Sequence, residues 1–342
     1  MKMVLVTGAT GHVGNVLTKR LVREGRKVRV MVLPKDDLTP LENLDVEIVY
    51  GDVRDKEVVA KAMKGIELVY HLAAVISITP WKRKLLYEVN VKGTENVLRE
   101  ATKHGARMVY VSSVHAFAEP EPGAVIDENI PVDPKRTTGF YGKTKAIATL
   151  KVLKASREGA DVVVACPTGV IGPYDYKLSE MGKVFMKFLK GKLRICIDGS
   201  FDFVDVRDVV DGLMKLSERG KKGEIYILGN RSVTMRKMMT MLEGITGIPA
   251  PRVYLPLHLA WVVSGFSLMF SSFGRHEAIF TPYAVHTLTR NYAFSHKKAE
   301  IELGYRPRPL IETLKDTVEW FRAQILLRSM KITQLTSSRT GD

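Results

Sequence analysis

Short apolar runs recur along the first half of the chain, and stretches of helical spacing fall between them. Met3, Val4, Leu5 and Val6 form the first run; residues 15–24, with Val16, Leu17, Leu21 and Val22 apolar, read as an amphipathic helix. Further β-rich runs fall at 28–33, 46–50, 68–72, 108–111 and 162–165, and helices are predicted over 89–103 and 142–155. Strands that are apolar throughout and separated by helices belong to a parallel sheet covered on both faces. Right-handed crossovers make this an α/β fold, a Rossmann-type doubly wound parallel sheet.

The rhythm changes after Pro167, where glycine, proline and aromatic residues become frequent. Helices at 233–245 and 310–327 stand among irregular stretches. The expected organisation is a first domain over 1–171, rejoined by 200–230 through a strand at 225–228. Residues 172–199 and 231–328 would form a smaller substrate lobe, and 329–342 a frayed tail.

The 342 residues are 45% apolar and 26% charged, which excludes wholesale disorder, a fibrous repeat and a multi-span membrane protein. Cys166 and Cys196 sit in apolar runs, too few for a disulfide framework or a four-ligand zinc site. No leader is evident before the first strand, so a reducing, cytoplasmic setting is expected. The net charge of +15 is spread, with modest basic clusters at 183–194 and 219–222. No aromatic residues interleave with them, so nucleic acid is not an expected partner. Residues 253–274 lack charge, but Pro256, His258, Ser264, Ser267, Ser271 and Ser272 interrupt them. A buried or pocket-lining helix is the preferred reading there, and membrane contact the alternative.

The first strand runs into Thr7, Gly8, Ala9, Thr10, Gly11, His12, Val13 and Gly14, and a helix follows. Glycines at such a turn permit positive φ, close approach of backbone to a diphosphate, and tight packing of helix on strand. The diphosphate then rests on the unsatisfied N–H groups of the helix start.

This spacing resembles the loop of the extended short-chain dehydrogenase/reductases, the NAD-dependent epimerase/dehydratase family. The likeness continues in order through Gly51-Asp52-Val53-Arg54-Asp55, His71-Leu72-Ala73-Ala74 and Val89-Asn90-Val91-Lys92-Gly93-Thr94. Tyr141-Gly142-Lys143-Thr144-Lys145, Pro167-Thr168-Gly169-Val170-Ile171-Gly172-Pro173 and Phe203-Val204-Asp205-Val206-Arg207-Asp208-Val209 complete it, to about residue 325. It implies a cofactor, NAD or NADP, held by Gly8, Thr10, Gly11, His12, Val13, Gly14, Asp52, Val53, Ala73, Tyr141, Lys145, Pro167 and Val170. It also implies a homodimer built on 91–102 and 144–155. Asn90 reads as structural.

Tyr141 and Lys145 are four apart at a helix start and share a face. A neighbouring ammonium favours the phenolate and is expected to draw the tyrosine pKa toward neutrality, giving a general acid or base. The resemblance adds a hydroxyl that polarises the substrate carbonyl; Ser113 aligns best and Ser112 is the fallback.

The end of the second strand usually separates NAD from NADP. Here it reads Val32, Leu33, Pro34, neither acid nor arginine; Lys35 could reach a phosphate, Asp36 or Asp37 a ribose. Sugar-nucleotide members hold a diphosphate with arginines, whose neighbourhoods here read Ser200-Phe201-Asp202-Phe203 and Ala165-Cys166-Pro167. The second lobe offers an apolar wall instead, from Leu255, Leu257, Leu259, Trp261, Val262, Val263, Phe266, Leu268, Met269 and Phe270. The sequence therefore resembles the dihydroflavonol-reductase-like branch, and an oxidoreductase acting on an apolar small molecule is expected. The alternatives are a sugar-nucleotide epimerase or dehydratase, and a cofactor-binding regulator without turnover.

Overall fold

The computed structural model describes residues 3–76, 82–121, 123–256, 259–260, 285, 288 and 292–337. In chain order the first half comprises β1 (Met3–Thr7), α1 (His12–Arg23), β2 (Lys27–Val32), β3 (Glu47–Tyr50), α2 (Lys56–Met63), β4 (Ile66–His71) and α3 (Arg83–Tyr87). A π-helical turn (Glu88–Gly93) leads into α4 (Thr94–Lys103), followed by β5 (Arg107–Val111), β6 (Val125–Ile126), α5 (Gly139–Arg157) and β7 (Val162–Pro167). Then come β8 (Gly169–Ile171), α6 (Glu180–Leu189), β9 (Ile195–Ile197), β10 (Ser200–Asp205), α7 (Val206–Arg219), β11 (Ile225–Leu228), β12 (Arg231–Thr234) and α8 (Met235–Thr246). β13 (Val253–Leu255), β14 (Ala293–Phe294), α9 (Lys297–Leu303) and α10 (Leu310–Ser337) close the chain.

Seven parallel strands form the main sheet in the order β3-β2-β1-β4-β5-β7-β11. Alternate residues of β1 feed two cores. Val4 and Val6 pack with Leu17 and Leu21 of α1, and Leu5 packs on the opposite face with Val97 and Leu98 of α4. Fully burying one such side chain contributes about 1.5–3 kcal/mol, so the sheet is held from both sides. Strand order reverses between β1 and β4, and at such a switch point the strand ends part to leave a crevice.

Of the segment expected to rejoin the sheet, β11 does so, pairing with β7. β10 instead centres a small sheet, parallel to β8 and antiparallel to β12. α10 runs to Ser337, ten residues beyond the predicted helix end and into the stretch expected to fray, because no glycine or proline interrupts it. Within the uncharged segment 253–274, residues 253–255 form a strand paired with β9 rather than a helix. Its residues 257–258 and 261–274, with most of the expected apolar wall, lie outside the described residues. Among the described residues no helix is long and apolar enough to cross a membrane.

Candidate active site

The turn from β1 into α1 is made of bare backbone. Gly8 has φ of +74°, and a Cβ there would stand 2.8 Å from the amide nitrogen of Ala73, at the end of β4. A Cβ on Gly14 would stand 2.1 Å from the Gly8 carbonyl oxygen, so only glycine lets α1 seat this close. Gly11 caps α1 without a side-chain acceptor, and the first turn has no acidic residue. Those first-turn amides suit an anionic ligand, and the cradle fits the diphosphate of a dinucleotide.

A cavity of about 350 Å³ opens from this loop. Gly8, Gly11, His12, Val13, Gly14, Ser113, Tyr141, Lys145, Pro167 and Val170 line it, ten of the expected site residues. The other four, Thr10, Asp52, Val53 and Ala73, are not among its lining residues. Thr10 is buried beneath the loop surface, and the Asp52 carboxylate is held by the Arg54 guanidinium at 2.7 Å. Val53 packs in the core, and Ala73 donates its amide to Thr7 Oγ1 at 3.2 Å while Ala74 faces the cavity.

The two serines that follow β5 both line the cavity and differ in their partners. Ser112 Oγ lies 2.6 Å from Thr149 Oγ1 of α5 in a buried bond, although the residue also lines the cavity. Ser113 stands close enough to the Tyr141 phenol to lower its pKa, and its Oγ accepts from the His115 amide at 3.3 Å. Tyr141 and Lys145 stand one turn apart at the start of α5, 8% and 3% exposed. Gly142 lets α5 approach the short turn Val114–Ala116 that follows β5: a Cβ there would meet the His115 carbonyl oxygen at 2.7 Å.

Their electrostatics differ from the sequence expectation. Burial pushes the Tyr141 pKa up to about 12, and the Ser113 hydrogen bond offsets only part of this. Burial also pulls Lys145 down to about 8. The lysine Nζ donates to the Val111 carbonyl oxygen at 2.7 Å and lies 5.0 Å over the Tyr110 ring. Desolvation therefore dominates, and in this state Tyr141 is a protonated acid rather than a near-neutral phenolate.

A buried chain of hydrogen bonds fixes this wall to the glycine loop. Thr94 Oγ1 donates to the Asn90 carbonyl at 2.7 Å, so it accepts from His71 Nε2 at 3.0 Å. His71 Nδ1 is then the acceptor for Thr7 Oγ1 at 2.7 Å. Burial, with the Lys145 charge, depresses the His71 pKa to about 3, so the ring stays neutral. The Asn90 side chain binds both the amide and the carbonyl of Val75, and donates to Thr144 of α5. These contacts use its polar atoms structurally.

The cavity is also lined by Leu72, Ala74 and Thr168 of the family-like segments, and by Ile76, Val111, His115 and Ser179, which the sequence does not single out. The His115 ring stacks on Phe201 of β10 at 5.8 Å and meets Tyr141 edge-on at 6.3 Å. Its place two residues after Ser113 was the available signal. Among the described residues no group of three or more His, Cys, Asp or Glu could hold a metal ion.

A seven-stranded parallel sheet with a glycine cradle at its switch point, facing Ser113, Tyr141 and Lys145, defines a dinucleotide-dependent enzyme. The chain belongs to the NAD dependent epimerase/dehydratase family, whose profile matches residues 4–229. It is an NAD(P)-dependent oxidoreductase of the extended short-chain type. It is 33% identical over 323 residues to sterol demethylase protein B of Methylococcus capsulatus (strain Bath), covering 93% of this chain and 98% of that protein. It is 32% identical over 326 residues to a putative dihydroflavonol 4-reductase of Synechocystis sp., covering 93% and 94%. The crystal structure of gox2253 superposes with a TM-score of 0.82 at 29% identity, covering 95% of this chain and 99% of that one.

Proposed function

We propose that the protein interconverts a carbonyl and a secondary alcohol on an apolar small molecule, with Tyr141 giving or taking the proton. The observation that carries this reading is the placement of Tyr141 beside Ser113 in the cavity lined by the glycine loop. A bound nicotinamide dinucleotide supplies the hydride. Gly8, Gly11 and Gly14 would receive its diphosphate, and Pro167 and Val170 would border its nicotinamide end.

In the direction of reduction, the Ser113 hydroxyl hydrogen-bonds the substrate carbonyl oxygen. Tyr141 Oη delivers a proton to that oxygen as negative charge develops there. A phenol held protonated by burial is suited to this step. Lys145 holds positive charge against the wall at Val111 and orients the bound cofactor. In the reverse direction deprotonated Tyr141 accepts the alcohol proton, a form that alkaline pH favours.

The choice of an apolar substrate rests on what surrounds the cavity. None of its described lining residues is an arginine. Cys166 and Ser200, at the two neighbourhoods where sugar-nucleotide members carry arginines, are buried. A diphosphate sugar buried without such partners would be costly. The two relatives above, named for a sterol and a dihydroflavonol, support the same class. The α4 and α5 helices, bridged by Lys151 and Glu95 at 2.5 Å, are the surface through which we expect two copies to pair. Buried, unpaired Cys166 and Cys196 fit a reducing, cytoplasmic setting.

The test is a cofactor-coupled screen of ketones, sterols and nucleotide sugars with wild type and Tyr141→Phe. The expected result is net oxidation of reduced cofactor with an apolar ketone, falling about 10²–10⁴-fold in the variant. Turnover of a nucleotide sugar without net cofactor change, or a variant as active as wild type, rejects the reading.

A further inference from the structure

Lys177, in the segment 172–179 between β8 and α6, reaches the rim of the glycine loop from the second half of the chain. This segment is tied down along the loop and α1. His12 Nε2 donates to the Pro173 carbonyl at 2.9 Å, and Asn15 Nδ2 to the Tyr174 carbonyl at 3.1 Å. Tyr174 and Leu178 both adopt positive φ, 71° and 53°, conformations that side-chain-bearing residues hold only when their surroundings impose them. The outcome is that the Lys177 ammonium is brought over Thr10, between Gly8 and Gly11.

There it meets Asp36. Lys177 Nζ lies 2.9 Å from both Asp36 Oδ1 and Thr10 Oγ1, and Thr10 Oγ1 donates to Asp36 Oδ2 at 2.6 Å. Asp36 lies beyond the end of β2, but the turn from its amide to the Leu33 carbonyl, at 3.0 Å, folds its carboxylate back onto the loop. In a doubly wound fold a carboxylate just beyond β2 faces the adenosine ribose, accepts from its hydroxyls and repels a 2′-phosphate. An ammonium at the same point attracts that phosphate.

We infer that the Asp36–Lys177 pair, assembled across 141 residues of sequence, reads the 2′ position of the adenosine ribose, with Lys177 as the group that admits a 2′-phosphate. With a free 2′-hydroxyl, Asp36 accepts from the ribose and keeps Lys177 as its counter-ion. With a 2′-phosphate, Lys177 turns from Asp36 to the phosphate and offsets the repulsion. The site therefore takes both dinucleotides, and each partner biases the choice in the opposite direction. This rests on the oxidoreductase reading above and adds to it the residues that choose the cofactor.

The test is calorimetric binding of NAD⁺, NADP⁺, 5′-AMP and adenosine 2′,5′-bisphosphate to the full chain, without turnover. Wild type is expected to bind the two dinucleotides within about tenfold of each other. Lys177→Met should shift the ratio toward NAD⁺ by about two- to fivefold, the scale of a half-exposed ion pair. Asp36→Asn should shift it toward NADP⁺, and Lys177→Arg should retain the wild-type ratio. The nucleotide pair should follow the same order, since it carries the 2′ position without the nicotinamide. Both dinucleotides binding with a ratio that neither variant moves overturns this inference and leaves the oxidoreductase reading intact. Binding of neither dinucleotide to folded wild type overturns both.

Discussion

Lys145 donates its 2.7 Å hydrogen bond to the carbonyl of Val111, the last residue of β5, so the ammonium is stored in the wall of the site. The lysine is 3% exposed and its pKa lies near 8 against an ordinary 10.5. Between those values the unfolded chain binds more protons than the folded one, so folding stability gains as pH rises from about 8 to 10.5. Below pH 8 the buried charge costs about 3 kcal/mol. Lys145→Met should therefore be more stable than wild type at pH 7, with the difference shrinking toward pH 10. Urea midpoints of both proteins at pH 7, 8.5 and 10 measure this; a difference that does not change with pH would reject it.

The same burial fixes the pH dependence of turnover. Tyr141 remains protonated through the neutral range, its pKa near 12. Carbonyl reduction, which needs the protonated phenol, should show no alkaline loss attributable to Tyr141 between pH 6 and 9. Alcohol oxidation, which needs Tyr141 as a base, should rise with pH across that range. Initial rates in both directions at saturating cofactor test it, and an oxidation rate flat in pH would count against Tyr141 as the base.

Ser112 and Ser113 give a paired test of function against stability. Ser113→Ala removes the hydroxyl beside Tyr141 and should lower kcat by about 10²–10³-fold with little change in melting. Ser112→Ala breaks the 2.6 Å buried contact with Thr149 and should cost about 1 kcal/mol while largely sparing kcat. A reversed pattern would assign the carbonyl-facing role to the wrong serine.

The parts of the molecule that the chain announces are those where local and global requirements coincide. The first strand, its glycine turn and the helix after it are specified within residues 3–23, and the strand at 225–228 is a plain apolar run. Tyr141 and Lys145 are legible because one helical turn separates them. α2 is hard to read in sequence because Lys56–Met63 is only eight residues long; its signal is the Asp55 cap, whose side chain accepts from the Glu57 and Val58 amides. The π-helical turn at Glu88–Gly93 carries no mark in residue type, since it follows from Asn90 reaching Val75 and Thr144. The upward shift of Tyr141 was hidden because residue spacing reports a neighbouring charge but not desolvation. Lys177 and His115 escaped notice because each meets its partners only through the folded chain.

His71 supplies the last prediction. It is fully buried, bridges Thr7 of β1 to Thr94 of α4, and stays neutral down to about pH 3, whereas an unfolded histidine takes a proton near 6.5. Between pH 6.5 and 3 the unfolded state thus binds the extra proton, and stability falls as pH falls, by at most about 1.4 kcal/mol per unit from this group. Above pH 6.5 its contribution is complete. His71→Gln removes the titration while keeping hydrogen-bonding capacity, so the variant should be less stable at pH 7 but lose stability less steeply on acidification. Its deficit relative to wild type should narrow between pH 6.5 and 4.5, as read from urea midpoints. Parallel curves for the two proteins would show that the imidazole is not neutral in the fold, and the proton assignment along Thr7, His71 and Thr94 would fail with it.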